Sequence, residues 1–107
     1  MSSLPGNPVD FSLAAARDAV RTKKVSSKEL TAAFVKAVAD ARPLNAFVTE
    51  TPEKAIEMAV ASDVRIAHGE ARTLEGLPLA IKDLFCTKGV KTTAGSNILS
   101  NFVPPYE

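Results

Sequence analysis

Leu77-Pro78-Leu79-Ala80-Ile81-Lys82-Asp83 is the stretch on which the reading of this 107-residue chain turns. Leu77, Leu79 and Ile81 alternate with Pro78, Ala80 and Lys82, which gives a strand with few polar side chains on either face. A strand of that kind is buried and needs neighbours on both sides. The chain offers Phe85 to Thr87 and Lys91 to Thr93 as further short strands around Gly89, too little sheet to cover it. The apolar run therefore predicts partners that these residues do not supply.

Its last lysine carries the chemistry. At the end of a buried strand Lys82 loses solvation, which disfavours the charged ammonium and suits the amine to act as a general base. An interior lysine paired with a carboxylate is the structural alternative, because ion pairs perturb lysines too. Asp83 points to the opposite face, and accepting backbone hydrogen bonds to fix the turn after the strand is its expected role.

Thr92, Thr93, Gly95 and Ser96 make a small polar turn in which backbone N–H groups could approach a ligand. The simpler reading has Ser96 capping a short helix through Asn97, Ile98 and Leu99 while the threonines complete a strand. Ser96 has no accompanying histidine or G-x-S-x-G elbow, which argues against a nucleophile. Cys86, beside Leu84 and Phe85, reads as a buried small hydrophobe. One histidine and one distant cysteine do not make a metal site.

Upstream the pattern is helical. Ser12 can cap a helix through about Lys24, with Leu13, Ala16, Ala19 and Val20 on one side. Ser26 and Glu29 form a capping box, and Leu30, Ala33, Phe34, Ala37, Val38 and Ala41 recur at helical spacing until Pro43. Ala46 to Thr49 reads as a strand or extended connection. Thr51 as N-cap, Pro52 and Glu53 open a third helix, which His68 and Gly69 end.

Composition sets the outer bounds. A 46% hydrophobic, 23% charged chain is ordinary for a soluble globular protein. Alanine supplies much of that hydrophobic fraction, and with no Trp and one Tyr the core is thin for a domain of this size. A net charge of +1, with Lys and Arg scattered among acids, gives no basic patch for direct RNA binding. A single cysteine forms no internal disulfide, and neither a signal-peptide pattern nor a membrane-length apolar run is present, so the chain is expected in the cytoplasm and off the membrane.

Leu74 to Val90, with Lys91 to Leu99 and Phe102-Val103-Pro104-Pro105-Tyr106, resembles the amidase signature family. The Phe102 to Tyr106 and Asn45 to Thr49 segments are most similar to the branch that serves as glutaminase subunit in tRNA-dependent amidotransferases, and the likeness runs from about Ser12 to Glu107. The resemblance implies an α/β fold: N-terminal helices leading into the first strands of a mixed sheet enclosed by helices, incomplete in this chain. Residues 1–11 would be an N-terminal extension and 12–107 the N-terminal part of the amidase domain. Lys82 matches the lysine of a Ser-cisSer-Lys triad, whose two serines belong to a later Gly/Ser-rich segment, so these residues alone are expected to be inactive.

The intact protein would hydrolyse glutamine and pass ammonia to a partner subunit for amidation of Glu-tRNA(Gln) or Asp-tRNA(Asn). The resemblance implies no cofactor in this chain, ATP and magnesium in the partner subunit, and tRNA held mainly by the remaining subunits. The alternatives are a stand-alone amidase and a non-enzymatic interaction module. Open apolar faces also offer a route to self-association.

Overall fold

In the computed structural model, which describes residues 7–107, each early helix starts where a side chain satisfies the free N–H groups of the first turn. Helix α1, Leu13–Arg21, is capped by Ser12, whose hydroxyl accepts the Ala15 N–H at 3.1 Å. It stops short of Lys24 because Lys23 turns into the left-handed region at φ 61, while the Thr22 hydroxyl donates to the Asp18 carbonyl at 2.7 Å. Helix α2, Ser27–Asp40, carries both arms of the capping box. The Ser26 hydroxyl accepts from Glu29 N–H at 3.0 Å and the Glu29 carboxylate accepts from Ser26 N–H at 3.3 Å. Pro43 then sits in a 3-10 turn, Arg42–Leu44.

Helix α3, Pro52–Ala67, has Pro52 at its first position and Glu53 in its first turn, and His68 closes it. The expected Thr51 side-chain cap does not form; only the Thr51 carbonyl engages the helix, accepting the Ala55 N–H at 3.0 Å. Between α2 and α3 the expected strand at Ala46 to Thr49 is also absent, and Phe47 and Val48 are exposed. Arg42 instead closes this loop with a forked pair to Glu50, Nε at 3.1 Å from both carboxylate oxygens and Nη2 at 2.9 Å from one.

Ala16, Ala19 and Val20 of α1, Val25, and Leu30 of α2 form the core, with Phe11, Phe34, Ile66 and Leu77 packed around it. Leu30 is completely buried, an enclosure worth roughly 2 kcal/mol. Leu13 is half exposed, off the face predicted for it. Helix α2 packs along α3, which answers the demand of its apolar face. Pro8–Asp10 forms a 3-10 turn against α2, and residues 1–6 of the expected N-terminal extension lie outside the described residues.

A carboxylate from α3 also caps α2. Asp63 accepts the N–H groups of Ser27 at 2.7 Å and Lys28 at 3.1 Å, joining a negative charge to the positive end of the helix. Asp63→Ala is expected to destabilise the fold by about 1–2 kcal/mol, since it leaves a nearly buried donor unmatched. A lowered midpoint in denaturant unfolding checks this; an unchanged midpoint would contradict it.

The described residues contain no strand, so the α/β expectation is met by its helices alone. Residues 77–82 carry no regular secondary structure, and no backbone hydrogen bond joins residues 78–81 to another described segment. Leu79 is 63% and Ile81 57% exposed, so the burial predicted for this run is absent. The physical reason is that a strand's backbone groups and two apolar faces are satisfied only by neighbours. Phe85 to Thr87 and Lys91 to Thr93 likewise fold as turns and extended links, tied by single bonds such as Thr92 N–H to the Phe102 carbonyl at 3.1 Å. The radius of gyration, 15.0 Å, exceeds the roughly 13 Å of a compact chain this long.

Candidate active site

The extended run that bears Lys82 is fixed at its beginning by Glu75 and Gly76. The Glu75 side chain is 3% exposed and accepts from four donors: Ser62 Oγ at 2.7 Å, Arg65 Nε at 2.9 Å, Arg72 Nε at 2.9 Å and Arg72 Nη2 at 3.3 Å. Ser62 and Arg65 stand one turn apart on α3, so the carboxylate ties the loop after α3 back onto that helix. The next residue, Gly76, offers its carbonyl to the buried hydroxyl of Ser27 at 2.8 Å. Through Ser27 and Asp63 this junction reaches the start of α2 and the body of α3 together.

Hydrogen bonds from Arg72 and Ser62, more than offsetting the burial that opposes ionisation, lower the Glu75 pKa from 4.5 to about 2. A carboxylate held lower in the folded state than in the unfolded chain contributes stability fully present above pH 4.5, and that contribution is lost as pH falls toward about 2. Both guanidiniums stand partly in solvent, so the loss is on the order of 1–2 kcal/mol. Acid titration of unfolding stability should show this decline over that window in the native chain and its absence in Glu75→Gln.

Lys82 itself is exposed, not desolvated at the end of a buried strand as expected, because the covering strands are absent. Its carbonyl accepts the Phe85 N–H at 3.0 Å, which turns the chain directly after the lysine. Asp83 takes the expected structural role. Its carboxylate accepts the Thr93 N–H at 2.8 Å, the Thr93 hydroxyl and the Gly95 N–H at 3.3 Å, and its carbonyl accepts the Ala94 N–H at 2.8 Å. The Thr93 hydroxyl and N–H hold the Asp83 carboxyl below its ordinary range.

Thr92 and Thr93 are buried, and Ser96 caps the 3-10 turn Asn97–Leu99 as expected, accepting the Ile98 N–H at 3.2 Å. Cys86 is half-buried, less enclosed than its apolar neighbours suggested, since Leu84 and Phe85 are themselves exposed. His68 sits at the end of α3, away from the Asp83 cluster in sequence and in its contacts. Among the described residues no group of three His, Cys, Asp or Glu side chains is placed to hold a metal ion. No helix of the described residues is long and apolar enough to cross a membrane.

Glu75, Asp63 and Ser27 were not found by sequence reasoning. Arg72 and Glu75, three residues apart, carried a weak local signal; the rest of the junction spans tens of residues and depends on how α2 meets α3. Lys82 thus stands exposed on an extended apolar run, with a buried carboxylate before it and a threonine-bound carboxylate after it, and the Amidase family model matches residues 29–107. The chain belongs to that family.

Among curated proteins, it is 65% identical over 98 residues to the glutamyl-tRNA(Gln) amidotransferase A-subunit of Beijerinckia indica, covering 92% of this chain and 20% of that protein. The proteins of the same name in Hyphomonas neptunium and Methylocella silvestris are 62% and 59% identical over the same 92% of this chain and 20% of their own lengths. The chain thus spans about a fifth of the length of these relatives. No solved structure matches it.

Proposed function

We propose that these residues are the N-terminal part of the glutaminase subunit of a tRNA-dependent amidotransferase, and that Lys82 is the base of its Ser-cisSer-Lys triad. The observation that carries the reading is identity of 55–65% along nearly the whole chain with relatives named as glutamyl-tRNA(Gln) amidotransferase A-subunits, joined to a lysine presented on a doubly anchored apolar run. In this proposal Lys82, as the neutral amine, accepts the proton that the middle serine relays from the nucleophile. The nucleophile's oxygen bonds to the side-chain carbonyl carbon of glutamine, the C–N bond breaks, and ammonia leaves with the returned proton. Water then releases glutamate from the acyl-enzyme.

Both serines and the oxyanion donors come, in this reading, from sequence beyond the 107 residues. That sequence also supplies strands of a mixed sheet on either side of residues 77–82, which accounts for the exposure of Leu79 and Ile81. Partner subunits bind ATP, magnesium and most of the tRNA, and amidate Glu-tRNA(Gln) or Asp-tRNA(Asn) with the ammonia. The names of the relatives favour this reading over a stand-alone amidase.

The test is ammonia release from glutamine by a chain extended through the Gly/Ser-rich segment to the relatives' full length and assembled with its partner subunits. Release by that assembly, and none by the 107 residues alone, is the expected result. Turnover by the short chain would place the nucleophile within it, and an assembly active on other amides but not on glutamine would favour the stand-alone amidase.

A further inference from the structure

We propose that Asp83, through Thr93, is the positioning residue of Lys82: it fixes the backbone that aims the lysine and takes no proton itself. The proposal rests on the reading of Lys82 as the base. Residues 78–81 have no backbone hydrogen bond to another described segment, so among the described residues the bonds nearest the lysine are those that follow it. On the other side the chain is held densely. The Lys82 carbonyl closes a turn with the Phe85 N–H, and the Asp83 carbonyl receives the Ala94 N–H at 2.8 Å. The Asp83 carboxylate receives two donors from Thr93 and one from Gly95.

The loop on the far side is itself secured. Thr93 is 9% exposed, its hydroxyl also accepts the Gly95 N–H at 3.2 Å, and its carbonyl accepts the Ser96 N–H at 2.8 Å. Thr92 beside it is buried, receives the Thr87 N–H on its hydroxyl and gives its own N–H to the Phe102 carbonyl. Ala94 and Gly95 both adopt positive φ, 49° and 69°, a reversal the four bonds to Asp83 hold in place. Every donor to the Asp83 carboxylate among the described residues is neutral. It therefore works as a geometric clamp, not as half of an ion pair with Lys82, and its ionised form is the stronger acceptor.

The experiment is steady-state glutamine hydrolysis by the assembled enzyme carrying Thr93→Val, Thr93→Ser or Asp83→Asn, with thermal midpoints measured alongside. Valine keeps the shape of threonine and removes one donor; serine restores the hydroxyl. Thr93→Val is expected to lower kcat about 10- to 100-fold with KM unchanged, Thr93→Ser to recover most of that loss, and Asp83→Asn to lower kcat at least as far as Thr93→Val. If Asp83→Asn does not fold, the Thr93 pair carries the test alone. Wild-type kcat in Thr93→Val, or a loss that Thr93→Ser shares in step with a lower thermal midpoint, overturns the assignment. An unsubstituted enzyme that releases no ammonia overturns the reading of Lys82 and this assignment with it, whereas an active enzyme indifferent to Thr93→Val overturns the assignment alone.

Discussion

Lys82→Ala in the assembled enzyme is expected to cut glutamine hydrolysis by about 10²- to 10⁴-fold, the range of a lost general base, while leaving the thermal midpoint unchanged. The separation follows from the structure. Among the described residues the Lys82 side chain is exposed, so its removal takes nothing from their packing. Lys82→Arg should be as inactive as alanine, because a guanidinium keeps the positive charge and cannot be deprotonated to serve as a base. Activity retained by the arginine variant would show that only the charge matters. Activity retained by both would remove Lys82 from the chemistry. The measurement is ammonia release under saturating glutamine, with the midpoint of thermal unfolding recorded on the same preparations.

The second large effect concerns stability. Gly76→Ala is expected to cost about 2–4 kcal/mol, and two separate causes add up to it. Gly76 has φ +81, a conformation that a residue with a Cβ adopts at a cost of about 1–2 kcal/mol. A Cβ there would also stand 3.0 Å from Ser27 Cβ, 3.1 Å from Ser27 Oγ and 3.3 Å from Ile66 Cδ1. Ser27 cannot retreat freely, since its N–H is held by Asp63 at 2.7 Å and its hydroxyl by the Gly76 carbonyl at 2.8 Å.

Gly69 provides the control for Gly76→Ala. It too has a positive φ, +72, yet nothing lies within 4 Å of the Cβ it would gain. Gly69→Ala should therefore show the backbone cost alone, about 1–2 kcal/mol. Denaturant unfolding of the two variants side by side isolates the steric part. Equal losses would mean that the α2 and α3 contact at Gly76 gives way easily.

The helices were legible because their signals are local. Ser12, and Ser26 with Glu29, cap the next few N–H groups, while Pro43 follows the end of α2, and His68 and Gly69 the end of α3, within three residues. Thr51 failed as a cap for the same local reason: its own φ and ψ, −131° and 59°, come with no hydrogen bond from its side chain to the helix start. Ser96 succeeded because its acceptor and the Ile98 N–H are two residues apart.

The apolar run from Leu77 to Ile81 has the composition of a buried strand, but alternation states only that both faces are apolar. Whether they are covered depends on other strands. In the described residues there are none, and Leu79 and Ile81 are exposed.

By itself the sequence determined the helix boundaries to within a few residues, the lysine's place at the end of an apolar run, and the role of Asp83 as an acceptor for the turn that follows. Tertiary structure alone decided that Asp63 caps a helix from a different helix, that Glu75 gathers Ser62, Arg65 and Arg72, and that Gly76 is crowded by Ser27. The division has one cause. Caps and turns are closed by groups a few residues apart, whose separation the covalent chain nearly fixes, whereas these junctions join groups brought together only when α2 packs on α3.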